Sequence, residues 1–402
     1  MRVKITKSKA VGAVKAPSSK SMAHRLLICA SMAEGVSVIR GVSDCEDVLA
    51  TLDCLSSMGV KYEKCKETIT LYGKKLQNRD FLSQLFCRES GSTLRFLIPS
   101  ALVSDKAVTF TGAPSLMQRP MGVYENLCLD NGLSYGKNGD SITVRGPLQS
   151  GEYSLPGNVS SQFVSGLLFA LPNLAGDSRI RIIPPIESRP YIDMTIDALR
   201  TFGITTEWDN DNTIYIKGGQ SFAPCDVEVE GDYSGSAFLE ALNLFGSDVS
   251  VTGLKENSLQ ADEAYKCYFN LLKSDTPTIH IGNCPDLGPI LFAVAAAKKG
   301  GTFNGTRRLR IKESDRAAVM AEELRKFGAS VEIYEDSVVV CPKEFHAPSE
   351  VLSGHNDHRI VMALSVLLTL TGGEIDGAEA VSKSYPNFFE DLKALGIEVN
   401  IE

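Results

Sequence analysis

The stretch SSKSMAHR puts Lys20 at the start of a helix-like run, with Ser21 and Arg25 four residues apart on one face. Ammonium, hydroxyl and guanidinium can then converge on a single oxyanion. Taken alone, this would be a capped helix with solvated charges. Similar clusters of small and polar residues, however, open five more apolar runs: SGSTLRFLI, SSQFVSGLL, YSGSAFLEAL, PDLGPILFAV and NDHRIVMALSV. Such helix starts leave backbone N–H groups and the positive dipole end pointing outward, and several of them facing one cleft would bind anions. The densest basic stretch, AKKGGTFNGTRRLRIKESDR, sets Lys298, Lys299, Arg307, Arg308, Arg310, Lys312 and Arg316 against Glu313 and Asp315. This is a local positive patch with carboxylates inside it. A nucleic-acid face would interleave several aromatic residues for base stacking, and this stretch has only Phe303. His355 and His358 have a His-x-x-His spacing, but no third His or Cys is near and Arg359 follows, so no metal site is expected. Phosphate-loop, nucleophile-elbow and dinucleotide fingerprints are missing.

The elements that must position these residues come from a chain of 402 residues, 43% apolar and 22% charged, with 34 Gly and 17 Pro. This is ordinary globular usage with length for two or three domains, and it excludes disordered, collagen-like and coiled-coil classes. The net charge of −8 recommends neither nucleic acid nor an anionic membrane as a partner, so anionic ligands must be met by local clusters. Ten Cys without a C-x-x-C pair read as reduced, mostly buried thiols. The first twenty residues are basic without an apolar core, and the longest apolar run, Val361 to Leu370, is too short to span a bilayer. The expectation is a cytoplasmic protein acting on small molecules without a cofactor or metal, and a monomer.

The openers recur roughly every 70 residues, which suits a small βαβαββ unit. Their closers, such as ALRTFGITTEWDNDNTIYIKG and ELRKFGASVEIYEDSVVVC, carry a Gly where a helix would end, then alternating residues around a polar turn. The fourth unit departs from this. AYKCYFNLLKSDTPTIHIG has neither the Gly cap nor the hairpin, which reads as a deletion. The last unit lacks its second strand, and the N-terminal strand Met1 to Ala10 would supply it. The expected fold is α/β (α+β): two similar domains, each of three βαβαββ units with helices enclosed by sheets, joined by a two-stranded hinge. Residues 15–228 would form the first domain, and 1–14 with 229–402 the second. Ordinary helix and strand alternation without true repeats is the plainer alternative.

SSKSMAHR, ESGSTLRF, TGAPSLMQRP, SSQF, SRPYID, PDLGP, RLRIKESDR, NDHR and SKSYPNFFEDL, in this order over nearly the whole chain, resemble the EPSP synthase (3-phosphoshikimate 1-carboxyvinyltransferase) family of enolpyruvyl transferases. The resemblance implies transfer of the enolpyruvyl group of phosphoenolpyruvate to the 5-hydroxyl of 3-phosphoshikimate, in the shikimate pathway to chorismate and the aromatic amino acids. It also implies inhibition by glyphosate and closure of the two domains on substrate. Residue by residue, it implies that 3-phosphoshikimate is held by Lys20, Ser21, Arg25, Ser160, Ser161, Gln162, Ser188, Tyr191, Asp286 and Lys312. Phosphoenolpyruvate would be held by Lys20, Gly91, Arg119, Gln162, Arg316, Arg359 and Lys383. Lys20, Asp286 and Glu313 would be the catalytic residues.

Arg88-Glu89-Ser90 stands where the family usually has Gly-Asn before the second small-residue turn, and Arg308 stands where a polar residue is frequent. The UDP-N-acetylglucosamine enolpyruvyl transferases resemble the chain in architecture but carry Lys-Asn at the first opener and a loop Cys. Here Ser21 follows Lys20, and the loop 112–122 has no Cys. A non-catalytic repeat scaffold would not need Lys20, Arg119, Arg316, Arg359 and Lys383 all at family positions. A relative of the RNA-phosphate cyclases would need a basic face that the net charge denies.

Overall fold

A computed structural model describes all 402 residues. The chain forms two compact units, Lys20–Glu230 and the discontinuous Met1–Ser19 with Gly231–Glu402. The fold is a repeated α/β pattern. In Lys20–Glu230 the helices Lys20–Met32, Gly91–Leu102 and Ser161–Ala170 are buried almost all round. A helix apolar on every side must be enclosed, and this unit supplies three four-stranded sheets.

Each complete sheet follows one plan, a parallel edge pair followed by two antiparallel pairings. Gln84–Phe86 runs parallel to Val108–Thr111, which pairs antiparallel with Ser141–Arg145 and, through it, with Ser134–Asn138. Glu152–Pro156, Ser178–Ile183, Thr213–Ile216 and Thr206–Asn210 repeat the plan. In the second unit so do Thr278–His280, Gly301–Asn304, Ser337–Cys341 and Ser330–Ile333. Alternation around Glu335-Asp336 does mark a hairpin there, closed by Tyr334 N–H donating to the Ser337 carbonyl at 2.8 Å.

The irregular repeats show how the chain is threaded. Arg2–Ile5 lies between Gly373–Asp376 and Val399–Ile401, antiparallel to both, so the N-terminus completes the last repeat. The fourth repeat keeps only Asp248–Thr252, paired in parallel with Val11–Lys15, and has no hairpin. Asp226–Glu228 runs parallel to Gly35–Arg40. The first and fourth repeats have therefore exchanged leading strands: each takes the strand that the sequence places just ahead of the other. No helix is long and apolar enough to cross a membrane.

One close approach fixes how two buried helices carry the site. Gly166, midway along Ser161–Ala170, allows that helix to meet Gly91–Leu102. A Cβ there would lie 2.2 Å from the Tyr124 hydroxyl and 2.4 Å from the Arg95 carbonyl oxygen. The same hydroxyl lies 2.7 Å from the Arg95 carbonyl and 3.1 Å from that of Phe163, joining both helices. Gly166→Ala is expected to destabilise the protein by about 2–3 kcal/mol through overpacking. Urea unfolding with an unchanged midpoint would show that the helices part without cost.

Candidate functional site

Within Lys20–Glu230, the chemistry gathers at the starts of the buried helices. Lys20 opens its helix, and its Nζ donates to Asp47 Oδ2 at 2.7 Å, with both side chains nearly buried. Arg25, one turn later, donates to Thr195 Oγ1 (2.9 Å), the Ser21 carbonyl (2.6 Å) and the Tyr191 carbonyl (2.8 Å). These acceptors are neutral. Burial therefore lowers the Arg25 guanidinium to about 10, with no carboxylate among these acceptors to offset it. A cation held by neutral oxygens beside Ser21 and Tyr191 has electrostatic capacity left for an anion.

The second helix start is a tighter cluster. Ser90 caps it by accepting the Thr93 N–H at 3.2 Å. A Cβ at Gly91 would fall 2.8 Å from Arg119 Nη1, 3.5 Å from Arg95 Nη1 and 3.8 Å from Gln162 Oε1. Two guanidiniums and an amide thus converge on a position where a Cβ would push the Arg119 guanidinium aside. The Gln162 amide is oriented from both ends, because Oε1 accepts from Arg95 (2.8 Å) and Nε2 donates to Ser92 Oγ (2.9 Å). Ser160 caps the third helix by accepting the Gln162 N–H at 3.3 Å, and Ser161 is that helix's first residue. Ser188 is buried in left-handed backbone (φ 56°) ahead of the helix Arg189–Thr201, which carries Tyr191.

Buried hydroxyls lock these helices together. His24 Nδ1 bonds Thr51 at 2.7 Å, Thr51 bonds Thr93 at 2.7 Å, and Thr93 donates to Ser90 Oγ at 2.8 Å. Thr195, which accepts from Arg25, also bonds Ser165 in the third helix at 2.8 Å. Arg88, at the unusual Arg-Glu-Ser turn, has φ 50° and pairs with Glu46 and, at 2.7 Å, with Asp53. Both acids lie on Glu46–Ser57, the helix that carries Asp47, so this departure in sequence pins the turn before Gly91 from outside.

In the other unit the centre is Arg316, 1% exposed, at the start of the helix Arg316–Lys326. It donates to Asp286 Oδ1, Glu313 Oε2 and Asp357 Oδ2, each at 2.8 Å. Burial opposes its charge, but these three carboxylates outweigh burial and raise its proton affinity further. Lys312 Nζ lies 3.2 Å from Asp286 Oδ1, and Arg359 Nη2 3.5 Å from Oδ2. Burial lowers the Lys312 ammonium below its ordinary range, although Asp286 opposes the shift. Arg359 is 3% exposed, and its Nε and Nη1 have no hydrogen-bond partner. Lys383 Nζ donates to the Asn356 carbonyl at 2.6 Å. Arg316, Lys312 and Arg359 therefore each lie within 3.5 Å of at least one of three carboxylates, and Lys383 adds a fourth cation at the Asn356 carbonyl. Such a site can receive an anion and exchange protons with it.

A family model described as EPSP synthase (3-phosphoshikimate 1-carboxyvinyltransferase) matches residues 5–392. The chain belongs to the EPSP synthase family. The 3-phosphoshikimate 1-carboxyvinyltransferase of Clostridium kluyveri is 40% identical, covering 99% of this chain and 98% of that one. Its Clostridium perfringens counterpart is 38% identical, covering 98% of both. The solved EPSP synthase of Acinetobacter baumannii superposes with a TM-score of 0.80 at 25% identity over 100% of both chains. The enolpyruvyl transferase NikO of Streptomyces tendae gives the same score at 15% identity, over 99% of this chain and 98% of that one, and shares the fold.

As an EPSP synthase, the chain contains participants that the sequence did not single out. Asp47, Arg95 and Thr195 all touch residues assigned from motifs, and Asp357, which the sequence offered only within the His-x-x-His stretch, binds Arg316. The available signal was an Arg inside an otherwise apolar helix, as in GSTLRFLI, where burial demands a partner. The dense basic stretch proves divided. Arg307 pairs with the exposed Glu335, Arg310 donates to the Tyr334 carbonyl and Lys299 to that of Ser274. Lys312 and Arg316 from that stretch join the carboxylates. Arg308 donates to the Gly282 carbonyl, and His355 Nε2 turns to Glu323 at 2.9 Å.

The His24 ring is held well below its ordinary value, first by burial and then by Lys20 and Arg25, so it is neutral in the folded EPSP synthase. In the unfolded chain it takes up a proton near pH 6.5. Below that pH the unfolded state binds one more proton than the native state, so stability is lost as pH falls. The slope approaches about 1.4 kcal/mol per pH unit. Urea unfolding at pH 7, 6 and 5 should show this slope in the parent and a shallower one in His24→Gln; equal slopes would assign the loss to other groups.

Proposed function

We infer that this EPSP synthase transfers the enolpyruvyl group of phosphoenolpyruvate to the 5-hydroxyl of 3-phosphoshikimate, releasing phosphate, in the shikimate pathway. The observation that carries the reading is the convergence of Arg95, Arg119 and Gln162 on Gly91 in a chain of this family. The substrates bring two phosphates and two carboxylates, and the residues assigned to them bring matching cations.

We assign 3-phosphoshikimate to Lys20, Ser21, Arg25, Ser160, Ser161, Gln162, Ser188, Tyr191, Asp286 and Lys312. Arg25 supports this, since its hydrogen bonds go to neutral oxygens beside Ser21 and Tyr191. Phosphoenolpyruvate is assigned to Lys20, Gly91, Arg119, Gln162, Arg316, Arg359 and Lys383. Gly91 also leaves room for glyphosate, so the enzyme is expected to be sensitive to it. We place the protein in the cytoplasm as a monomer.

The reaction is an addition followed by an elimination. The 5-hydroxyl of 3-phosphoshikimate loses its proton as its oxygen attacks C2 of phosphoenolpyruvate, while C3 gains a proton and becomes a methyl group. The tetrahedral adduct then returns a methyl proton as the C2–O bond to phosphate breaks. Asp286, directed by Lys312 and Arg316, serves as base toward the hydroxyl. Glu313, fixed by Arg316, serves the proton exchange at C3 with Lys20 as its partner. The cations stabilise the departing phosphate.

Two measurements test these roles. Asp286→Asn should lower turnover by about 100-fold or more, and Glu313→Gln should suppress solvent-deuterium exchange into the methylene of phosphoenolpyruvate. Substantial turnover in the first, or normal exchange in the second, reverses the assignment. Gly91→Ala should displace Arg119 and raise KM for phosphoenolpyruvate on the order of 10-fold or more, with the melting temperature nearly unchanged; an unaltered KM would remove Gly91 and Arg119 from that subsite.

A further inference from the structure

The turn His355-Asn356 is built in an unfavourable backbone conformation. Both residues are non-Gly and both have left-handed φ, 47° and 52°. Three site elements depend on this turn. The Asn356 carbonyl accepts from Lys383, the Asp357 carboxylate binds Arg316, and the helix His358–Thr371 that carries Arg359 starts there, capped by Asp357 accepting the Arg359 N–H at 2.9 Å. Something outside the turn must hold it.

That support is Glu323, a carboxylate 0% exposed. Its Oε1 lies 2.9 Å from His355 Nε2, and its Oε2 accepts the Ser353 N–H at 3.1 Å, so both flanks of Gly354 are gripped. Glu323 lies seven residues after Arg316, two turns along the same face of one helix. The helix therefore holds the turn at two points, Asp357 through Arg316 and His355 through Glu323. Burial opposes a charge on Glu323, but the bonds from His355, Ser353 and Lys326 outweigh it and keep its carboxyl below the ordinary range. Glu322, Glu323 and His355 could also be read as metal ligands, since their ligand atoms lie within 4.8 Å of one another. Lys326 Nζ, 3.1 Å from both oxygens of Glu323, already supplies the counter-charge, which fits a brace instead.

We propose that His355 and Glu323 are positioning residues for the phosphoenolpyruvate site, fixing the turn that presents the Asn356 carbonyl to Lys383 and launches the helix of Arg359. The proposal rests on the assignment of Lys383 and Arg359 to phosphoenolpyruvate, so the two are tested together.

His355→Ala should raise KM for phosphoenolpyruvate about 10-fold. KM for 3-phosphoshikimate and kcat should stay within about twofold, and the melting temperature should fall by only a few degrees. His355→Gln, whose amide can still donate to Glu323, should recover most of that loss. Lys383→Ala is the control for the site and should also raise KM for phosphoenolpyruvate. A rise in Lys383→Ala with none in His355→Ala overturns the positioning role alone, and no rise in Lys383→Ala overturns the site assignment and the proposal with it. A parallel loss for both substrates in His355→Ala, or no recovery in His355→Gln, reduces the pair to ordinary structural support.

Discussion

A guanidinium 1% exposed has to be neutralised where it stands, and Arg316 meets that requirement with Asp286, Glu313 and Asp357 at once. Removing Arg316 would strip the fully buried Asp357 of its guanidinium partner, which is more costly than never having buried the pair. The acids come from three separate stretches of sequence, so the cation dictates how those stretches pack. Asp286 precedes one buried helix, Glu313 sits one turn before Arg316 itself, and Asp357 caps another helix. The ion-pair cluster thus serves as chemical apparatus and as the tie that gathers three helix starts.

The unit Lys20–Glu230 solves the same problem in another way. There the buried cations Arg25 and Arg95 rest largely on neutral oxygens, from Thr195, the Tyr191 carbonyl and the Gln162 amide. A cation satisfied by neutral dipoles keeps attraction for an anion, whereas one matched by carboxylates has spent much of it. The two units therefore contribute different things, one mainly anion binding and the other a balanced set of acids and bases.

Much of this was legible in the sequence, because helix caps, Gly terminators and alternating strands follow local rules. The hairpin around Glu335-Asp336, the deletion in the fourth repeat and the return of the N-terminus to the last repeat are examples. Partners brought in by tertiary packing were not legible. Asp47 is an unremarked acid near a helix start until Lys20 is laid against it. The basic run from Lys298 to Arg316 looks like one patch because sequence proximity hides direction. A 3-10 turn over Arg307–Ile311 sends Arg307, Arg308 and Arg310 to other acceptors before the chain reaches Lys312. The brace from Glu323 to His355 spans 32 residues and follows no local pattern.

The strand Arg2–Ile5, held between Gly373–Asp376 and Val399–Ile401, bears on how the molecule is made. The ribosome releases this strand well before the pair of strands that receives it. At typical elongation rates the wait is roughly 20 to 80 s. Lys20–Glu230 is one continuous stretch and can close its core while the rest is still being synthesised. The unit that contains Arg316 cannot, because the central strand of its last sheet has been waiting with both edges unpaired. An unpaired strand edge invites mispairing, and its alternation of exposed Arg2 and Lys4 with buried Val3 and Ile5 keeps charge on the face it shows to solvent. Assembly of this protein is therefore asymmetric in time: an early half that is self-sufficient, and a late half that is sealed by a strand made long before its partners.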